Sequence, residues 1–334
     1  MSTAQRVGQL FMAGCSANGE CADVDRLAAD GSVGAVILMD TSYRSQDQIR
    51  TLTDRLQGAA PKDAALYVAT DQEGGQVQRL RGSGFSAIPA ATVQGRLPPA
   101  DLRQRAAEWG RQLAGAGINL NLAPVLDTVP ADSLSTNAPI GALQREFASD
   151  PSVVARAGDA VVDGYHFAGV DAAAKHFPGL GRVRDNTDTQ SGVRDTVTGR
   201  NDAYLAPFRS AIDDGVAFVM VSTAIYSRID DAHPAAFSSA VIRGLLRQQL
   251  GFSGVVISDD LANAAQVGGY SPGQRATGLL DAGGDMVLTV DSALVAPMTQ
   301  AVRSKMAVDP EFARKVGASV LRVLTAKQQR GLLR

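Results

Sequence analysis

Apolar runs of similar length recur along this chain, and each of them ends in polar or charged residues. Near-continuous runs of this kind are typical of strands that are buried on both faces of a parallel sheet. The sequence contains eight such runs, rich in Val, Ile, Leu, Phe and Ala: residues 9–14, 33–40, 65–71, 118–127, 170–177, 217–224, 254–260 and 284–290. We therefore predict eight parallel strands.

Segments with helical periodicity separate these runs. They are residues 45–57, 99–116, 151–168, 202–214, 239–250, 273–282 and 293–306. Several of them end just before a glycine, such as Gly117 or Gly169, which can take the left-handed conformation that closes a helix. The alternation of strand and helix favours an α/β fold, a TIM-like (β/α)8 barrel that forms a single domain over residues 1–334. Residues 310–334 are predicted to form a further helix outside the barrel.

The site of such a barrel lies at the C-terminal ends of its strands, so the side chains that end the apolar runs should meet at one mouth. Two connections that begin there, residues 128–150 and 178–200, are unusually long, which is typical of functional loops or of disorder. The strand-end side chains are Asp40, Asp71, Asp127, Lys175, His176, Thr223, Asp259, Asp260, Thr289 and Asp291. We expect the site among them.

Carboxylates dominate this set of residues. Such a cluster suits glycoside hydrolysis, in which one carboxylate attacks or stabilises an oxocarbenium-like centre and another group protonates the leaving oxygen. It also suits a hard cation, because Mg²⁺ and Ca²⁺ bind oxygen ligands. A structural interpretation stands beside both. A strand-end Asp such as Asp127 or Asp260 often caps the next helix, and Lys175 can form an ion pair with a neighbouring Asp.

The charge balance argues against large polyanionic partners. The chain has 32 Lys and Arg against 34 Asp and Glu, a net charge of -2, so no field of one sign exists to hold nucleic acid or an anionic membrane. No apolar run reaches the roughly twenty residues that cross a bilayer. We expect a small or neutral partner, and the sequence carries no signal for oligomeric state.

Cys15 and Cys21 are the only cysteines, and they lie in the polar segment CSANGEC. Their spacing and the absence of a nearby His do not suit a metal site, so we predict none. A disulfide between them would indicate an oxidising compartment at the cell envelope. It would also imply a leader removed from this chain, since residues 1–14 do not resemble one. Two free thiols in a cytoplasmic protein are the alternative.

Six segments together resemble the β-N-acetylglucosaminidases of glycoside hydrolase family 3, specifically the single-domain bacterial enzymes. The segments are QRVGQLFMAG from residue 5, ATDQEGGQVQRL from residue 69, INLNLAPVLD from residue 118, REFASDP from residue 145, KHFPG from residue 175 and GFSGVVISDDL from residue 251. They occur in the right order and extend over nearly the whole chain. The TIM-like barrel of the family agrees with the strand count.

The resemblance implies a role for each matching residue. Asp259 would be the nucleophile that forms a covalent glycosyl-enzyme, which an ionised carboxylate can do without prior deprotonation. Asp127 would support the site without contacting the sugar. The positions that hold the hydroxyls of the sugar correspond to Asp71, Arg145, Lys175 and His176.

The acid/base position departs from the pattern of the family. Typical members carry KHFPGHG and then, after four residues, Asp-Ser-His, in which the His is the acid/base and the Asp is its partner. This chain has KHFPGLG, and a gap-free comparison puts Asn186, Thr187 and Asp188 on that triplet. Asp188 thus stands in place of the catalytic His. Leu180 and Thr223 occupy two further positions where similar sequences often have His.

Two interpretations of this departure compete. In the first, Asp188 is the acid/base, which restores the two carboxylates of retaining glycosidases. Burial and the charge of Asp259 would raise the pKa of Asp188, and Asn186 would hydrogen-bond to it. In the second, the chain has lost its acid and only binds sugars or hydrolyses them very slowly. We favour the first, because Asp259 and the sugar-holding residues are retained.

The sequence thus predicts a retaining exo-β-glycosidase that uses no metal or organic cofactor. From the resemblance we expect a β-N-acetylglucosaminidase that acts on cell-wall or chitin-derived oligosaccharides, as in peptidoglycan recycling. The preference for an N-acetyl sugar rests on the resemblance alone. A β-glucosidase or xylosidase of the same family and a sugar-binding pseudoenzyme without the His-Asp dyad are the alternatives.

Overall fold

The eight apolar runs form parallel strands that close into a barrel. The computed structural model describes residues 1–333 and places the strands side by side in chain order, with the last beside the first. A backbone bridge between Ile257 and Met286 joins the seventh strand to the start of the eighth and completes the ring. The strands are β1 (Phe11–Ser16), β2 (Ala35–Met39), β3 (Tyr67–Thr70), β4 (Leu120–Asn121), β5 (Asp171–Phe177), β6 (Phe218–Val221), β7 (Val255–Ser258) and β8 (Val287–Thr289). The predicted (β/α)8 fold is confirmed.

Helices cover the outside of this barrel. The α-helices of residues 1–333 are α1 (Thr3–Gly8), α2 (Ala22–Ala29), α3 (Gln46–Ala59), α4 (Ala91–Gln94), α5 (Pro99–Gly115), α6 (Pro151–Phe167), α7 (Ala206–Asp213), α8 (Pro272–Ala282), α9 (Val295–Val308) and α10 (Pro310–Gln329). A π-helical segment occupies Ala240–Gln249, and 3-10 turns occupy Gly141–Leu143, Ala203–Leu205, Ala235–Phe237, Ala265–Val267 and Ser292–Leu294. No helix within the described residues is both long and apolar enough to cross a membrane.

Most of these helices match the sequence-based prediction within a few residues. The predicted tail helix is α10, which packs against α8 and α9; residue 334 lies outside the described residues. The prediction missed α1, α2 and α4. Each of these short helices buries only two residues, too few to produce a recognisable helical period.

Local sequence explains where several helices begin and end. Ser45 and Ser271 each accept a hydrogen bond from the third helical residue, and the Gln side chain of that residue accepts one in return, so α3 and α8 begin with a capping box. Gly117 and Gly169 follow α5 and α6 with φ values of 78° and 79°, a conformation that favours glycine. The chain therefore turns directly from these helices into the next strands.

A disulfide joins Cys15, in β1, to Cys21, the residue before α2. Their Cα atoms lie 5.6 Å apart. The bond closes a short loop at the mouth of the barrel, where Asn18 Nδ2 also donates to Thr41 O at 2.8 Å. The structure therefore contains the disulfide and not the two free thiols that were the alternative.

The two long loops at the mouth are folded and are fastened to each other. Asn137 in the first loop is buried, and its side-chain amide donates to Leu180 O at 2.8 Å and to Val183 O at 2.7 Å in the second loop. The hydroxyl of Tyr226, which follows β6, donates to Gly179 O at 2.8 Å. These bonds hold the beginning of the second loop over the barrel.

Lys327 on α10 is a buried cationic residue at the other end of the barrel, where the chain enters β1. Its Nζ donates to Gln9 Oε1 at 2.6 Å, and the side chain has no solvent exposure. Burial lowers the pKa of Lys327 to about 7, because the charged form loses its hydration. This amine thus opposes folding whenever it is protonated.

Replacement of Lys327 with Met should stabilise the protein more at low pH than at high pH. Above about pH 7 the folded chain holds the amine neutral while the unfolded chain still protonates it, so wild-type stability rises with pH up to the ordinary lysine value. We expect the gain in unfolding free energy to be larger at about pH 6 than at about pH 9 by on the order of 2 kcal/mol. Denaturant unfolding measures it, with the exposed Lys62→Met as control. A gain that does not change with pH would contradict this assignment.

Candidate active site

A cavity of about 380 Å³ opens at the mouth of the barrel. It receives side chains from the ends of several strands and from both long loops. The residues predicted from the sequence that line it are Asp71, Arg145, Lys175, His176, Asn186, Asp188, Asp259 and Asp260. Asp127 lies behind this wall and is fully buried. The structure thus brings together the residues to which the sequence analysis gave a role in catalysis or sugar binding.

An ion-pair network centred on Glu73 forms one wall of the cavity. Arg145 pairs with this carboxylate through two bonds, Nε to Oε2 at 2.8 Å and Nη2 to Oε1 at 2.7 Å. Lys175 Nζ lies 2.7 Å from Glu73 Oε1 and 2.6 Å from Asp71 Oδ1. Two cations and two carboxylates therefore balance each other where little water reaches them.

This network keeps its members charged despite their burial. Burial by itself raises the pKa of the Glu73 carboxyl, but Arg145 and Lys175 outweigh it and hold that pKa well below its ordinary value. Burial also favours a neutral Lys175, yet Asp71 and Glu73 raise the pKa of its ammonium group. Fixed charges with defined directions are suited to holding the hydroxyls of a sugar.

The sequence-based prediction did not include Glu73. This residue lies in the short strand Gln72–Gly74 outside the barrel, two positions after Asp71. Glu73 falls just beyond the last residue of its apolar run, so the position at a strand end does not mark it. An acidic residue in the glycine-containing motif ATDQEGGQVQRL was the available signal. Its partner Arg145 is 72 residues away in the chain, so the pairing is visible only in three dimensions.

Asp127 fixes the side chain of His176 and the start of the second long loop. Its Oδ2 lies 2.7 Å from His176 Nδ1, and its Oδ1 accepts from Leu180 N at 2.7 Å. The carboxylate favours the ring tautomer with the proton on Nδ1, which leaves Nε2 as an acceptor 3.4 Å from Arg145 Nη2. The expectation that Asp127 caps a helix is wrong, because its oxygens are occupied by β5 and the loop that follows it.

The end of β7 presents two adjacent carboxylates with different surroundings. Asp260 accepts hydrogen bonds from the backbone amides of Ala262, Asn263 and Val290 at 2.9 to 3.0 Å. Asp260 therefore caps a turn after the strand. The helix cap that the sequence had suggested for it is wrong. Asp259 accepts from the amide of Asp260 at 2.8 Å and also lines the cavity. Its carboxylate is thus held in place at the strand end beside the space for a ligand.

Asp188 lies in the second long loop, at the opening of the cavity. The residue is exposed on the side of the mouth, and it also lines the cavity. Desolvation of its carboxyl and the negative charge of Asp259 raise the pKa of Asp188 to about 6, although His176 and Arg145 act in the opposite direction. Asn186 Oδ1 accepts from the backbone amide of Asp188 at 2.9 Å. Asn186 therefore holds the backbone of Asp188 and not its carboxyl group.

Several other strand-end residues do not line the cavity. Asp40 Oδ2 accepts from Ser16 Oγ at 2.7 Å, and Thr289 Oγ1 donates to Asp291 O at 2.9 Å. Thr223, also absent from the lining, is fully buried. Among residues 1–333 no three His, Cys, Asp or Glu side chains are grouped so as to hold a metal ion.

The fold and the cavity define the class of this protein. A closed (β/α)8 barrel carries carboxylates from two different elements at its mouth, next to fixed donors and acceptors for hydroxyl groups, which is the equipment of a glycoside hydrolase. The chain also matches the model of the glycosyl hydrolase family 3 N terminal domain over residues 2–326. It belongs to this family, which confirms the resemblance found in the motifs.

Known proteins similar to this chain agree with the assignment. A β-hexosaminidase of Thiobacillus denitrificans is 39% identical over 278 residues, 80% of this chain and 74% of that protein. A β-hexosaminidase of Xanthomonas campestris pv. campestris is 36% identical over 285 residues, 82% of each chain. The solved structure of a β-N-acetylhexosaminidase from Beutenbergia cavernae superposes with a TM-score of 0.96 at 46% identity, covering 98% of this chain and 99% of that one.

Replacement of Glu73 with Gln should destabilise the fold far more than loss of an exposed ion pair. Gln retains the shape but removes the charge, so Arg145 and Lys175 face each other in a buried site, which costs about 3–5 kcal/mol. The control is Glu311→Gln, which breaks the exposed pair with Lys315 and should cost at most about 1 kcal/mol. Denaturant unfolding of both variants measures the difference. Equal costs would show that Glu73 does not organise this wall.

Proposed function

We propose that this protein is a retaining exo-β-N-acetylglucosaminidase that releases N-acetylglucosamine from cell-wall or chitin-derived oligosaccharides. The observation that carries the proposal is the presence of Asp188 and Asp259 in one cavity, with the pKa of Asp188 raised to about 6. The names of the β-hexosaminidase relatives support the choice of sugar. The cavity volume is at the low end for ligand pockets and suits one terminal sugar ring.

In the first step Asp259 attacks the anomeric carbon of the bound sugar. The bond from this carbon to the leaving oxygen breaks, and a new bond to the Asp259 carboxylate forms. Asp188 gives its proton to the leaving oxygen as the bond breaks. The exposure of Asp188 at the mouth supports this role, because the leaving group must depart through the opening.

In the second step water replaces the enzyme on the sugar. Asp188, now ionised, takes a proton from a water molecule, which attacks the anomeric carbon and releases Asp259. The two displacements together retain the configuration of the sugar. A carboxyl group with a pKa near 6 suits both halves of this cycle, because it is readily protonated and deprotonated near neutral pH.

The charged wall of Asp71, Glu73, Arg145 and Lys175 positions the sugar for attack. Lys175 and Arg145 can donate to hydroxyl oxygens, and Asp71 can accept from a hydroxyl group. The bonds of Arg145 and Lys175 to Glu73 restrict the movement of both side chains. A wall fixed in advance lowers the entropic cost of orienting the ring.

Two alternatives give different results in the same assays. A β-glucosidase or xylosidase would use the same carboxylates but would prefer aryl glycosides without the N-acetyl group. A sugar-binding pseudoenzyme is motivated by the absent His-Asp dyad. It would bind N-acetylglucosamine and hydrolyse none of the substrates.

Substitution of Asp188 with Asn should affect poor leaving groups far more than good ones. An acidic phenol leaves an aryl N-acetyl-β-glucosaminide without protonation, whereas a more basic phenol needs an acid to protonate it. We expect kcat/KM of Asp188→Asn to fall by about 10²- to 10⁴-fold for poor leaving groups and much less for good ones. Wild-type kcat/KM for poor leaving groups should fall above about pH 6, where Asp188 ionises.

Asp259→Asn is the matched comparison for Asp188→Asn, because it removes the nucleophile and should abolish turnover for every leaving group. Loss of activity in Asp188→Asn that is independent of the leaving group would remove Asp188 from the role of acid. A wild-type protein that binds N-acetylglucosamine but turns over no aryl glycoside would establish the pseudoenzyme.

The site of action that we propose is an oxidising compartment at the cell envelope. The disulfide between Cys15 and Cys21 supports this location, because such bonds persist where thiols are not kept reduced. The alternative is the cytoplasm, where both cysteines would be free thiols.

Thiol titration tests this compartment directly. Protein isolated from its native host with thiols blocked at lysis should show no free thiol after denaturation, and two after denaturation with a reductant. The Cys15→Ala, Cys21→Ala double variant gives the blank for the assay. Two free thiols before reduction would place the protein in the cytoplasm.

A further inference from the structure

We propose that Gln266 is a positioning residue that fixes Asp188 beside Asp259. The inference rests on the proposed role of Asp188 as acid/base and extends it to a residue that does not line the cavity. Gln266 lies in the 3-10 turn Ala265–Val267, which follows the nucleophile strand β7. It is buried under the second long loop.

The side chain of Gln266 forms two hydrogen bonds with one backbone unit of that loop. Its Oε1 accepts from Val193 N at 2.8 Å, and its Nε2 donates to Val193 O at 3.1 Å. The amide thus imitates a neighbouring strand and satisfies both polar groups of a buried residue. Loss of this side chain would leave the amide of Val193 unpaired, whereas Val193 O would keep the bond from Ile225 N at 3.1 Å.

The backbone of the same turn holds Asp188 itself. Gln266 N donates to Thr187 O at 3.1 Å, and Ala265 N donates to Asp188 O at 3.1 Å. Together with the side-chain bonds to Val193, these contacts fasten the loop to the turn on both sides of residues 189–192. The turn begins six residues after Asp259. The segment that carries Asp188 is therefore hydrogen-bonded to the segment that follows Asp259.

Fastening by the backbone matters here because Asp188 is exposed and packing does not fix it. The earlier part of the loop is held by Asn137 and Asp127, which contact Leu180 and Val183. Those contacts end before the segment that carries Asp188. Beyond that segment, Arg194–Asp195 pairs with the short strand Ile225–Tyr226. Between these two attachments, the loop is held by the turn that contains Gln266.

If this attachment loosens, the pH dependence of activity should change, which the loss of a purely structural contact would not cause. The titratable or charged groups that face Asp188 are Asp259 and Asp260 from the end of β7, His176 from β5 and Arg145 from the first long loop. Desolvation and Asp259 are the largest influences on the Asp188 carboxyl, and both weaken if the loop moves outward. The pH at which protonation-dependent activity is lost should then decrease.

The test is the variant Gln266→Met, which keeps the length of the side chain and removes the amide. We expect kcat for poor leaving groups to fall at least about tenfold, with a smaller loss for good ones. KM should change little, because the charged wall is untouched. The alkaline limit of kcat/KM should move from about pH 6 toward the ordinary carboxyl value.

The matched control is Gln57→Met. Gln57 on α3 makes the same pair of bonds, to Leu66 N at 2.9 Å and to Leu66 O at 2.8 Å, at the opposite end of the barrel. Both variants should lose thermal stability. Only Gln266→Met should show the dependence on leaving group and the displaced pH limit.

A second variant covers the case in which Gln266→Met does not fold. Ala265→Pro removes the amide that donates to Asp188 O and leaves the Gln266 side chain in place. Ala264 has φ of -59° and ψ of 120°, a conformation that a following proline accepts. It should also lower activity selectively for poor leaving groups.

Uniform loss across leaving groups with an unmoved pH limit, in either variant, would overturn the positioning role of Gln266. The proposed function is judged separately. If Asp188→Asn shows the dependence on leaving group and the Gln266 and Ala265 variants do not, only the inference about Gln266 fails. If Asp188→Asn lacks that dependence, the assignment of Asp188 as the acid fails first.

Discussion

The buried carboxylate of Glu73 is the interaction on which the charged side of the pocket depends. It is shared by Arg145 and Lys175, which come from the first long loop and from β5. Without this shared acceptor two cations would stand together in a site with little water, an arrangement that costs several kcal/mol. Because Glu73 lies next to β3, its ion pairs also tie three separate parts of the chain to one another. The wall that faces the sugar is consequently formed before any sugar binds.

The carboxylates of Asp188 and Asp259 are held in place in different ways. Asp259 ends a strand of the barrel, so its position follows from the closure of the sheet and from the amide of Asp260. Asp188 is carried by a loop and has little packing of its own. Its environment still suits the role of an acid, since desolvation and the charge of Asp259 both raise its pKa. Hydrogen bonds from the turn after β7 thus hold the loop of Asp188 against the barrel.

The fold was predictable because its signal is local and repeated. Strands buried on both faces need continuous apolar runs, and the eight runs mark all eight strands of the barrel. Strand ends then pointed to Asp71, Lys175 and Asp259 as residues at one mouth. Arg145 and Asp188 lie in loops, where no periodicity exists, and they were found only through the resemblance of their motifs to a family. The short helices α1, α2 and α4 were missed, because two buried residues do not make a pattern.

The sequence by itself determined the barrel, the family and most of the residues at the mouth, since these depend on apolar periodicity and on short motifs. Only the tertiary structure decided which of these residues contact each other. It gave Glu73 its partners, decided between a helix cap and a supporting role for Asp127 by placing it on His176, and attached the loop of Asp188 to the turn of Gln266. The physical reason is that an ion pair or a buried hydrogen bond joins residues far apart in the chain. Its geometry therefore exists only after the barrel has closed.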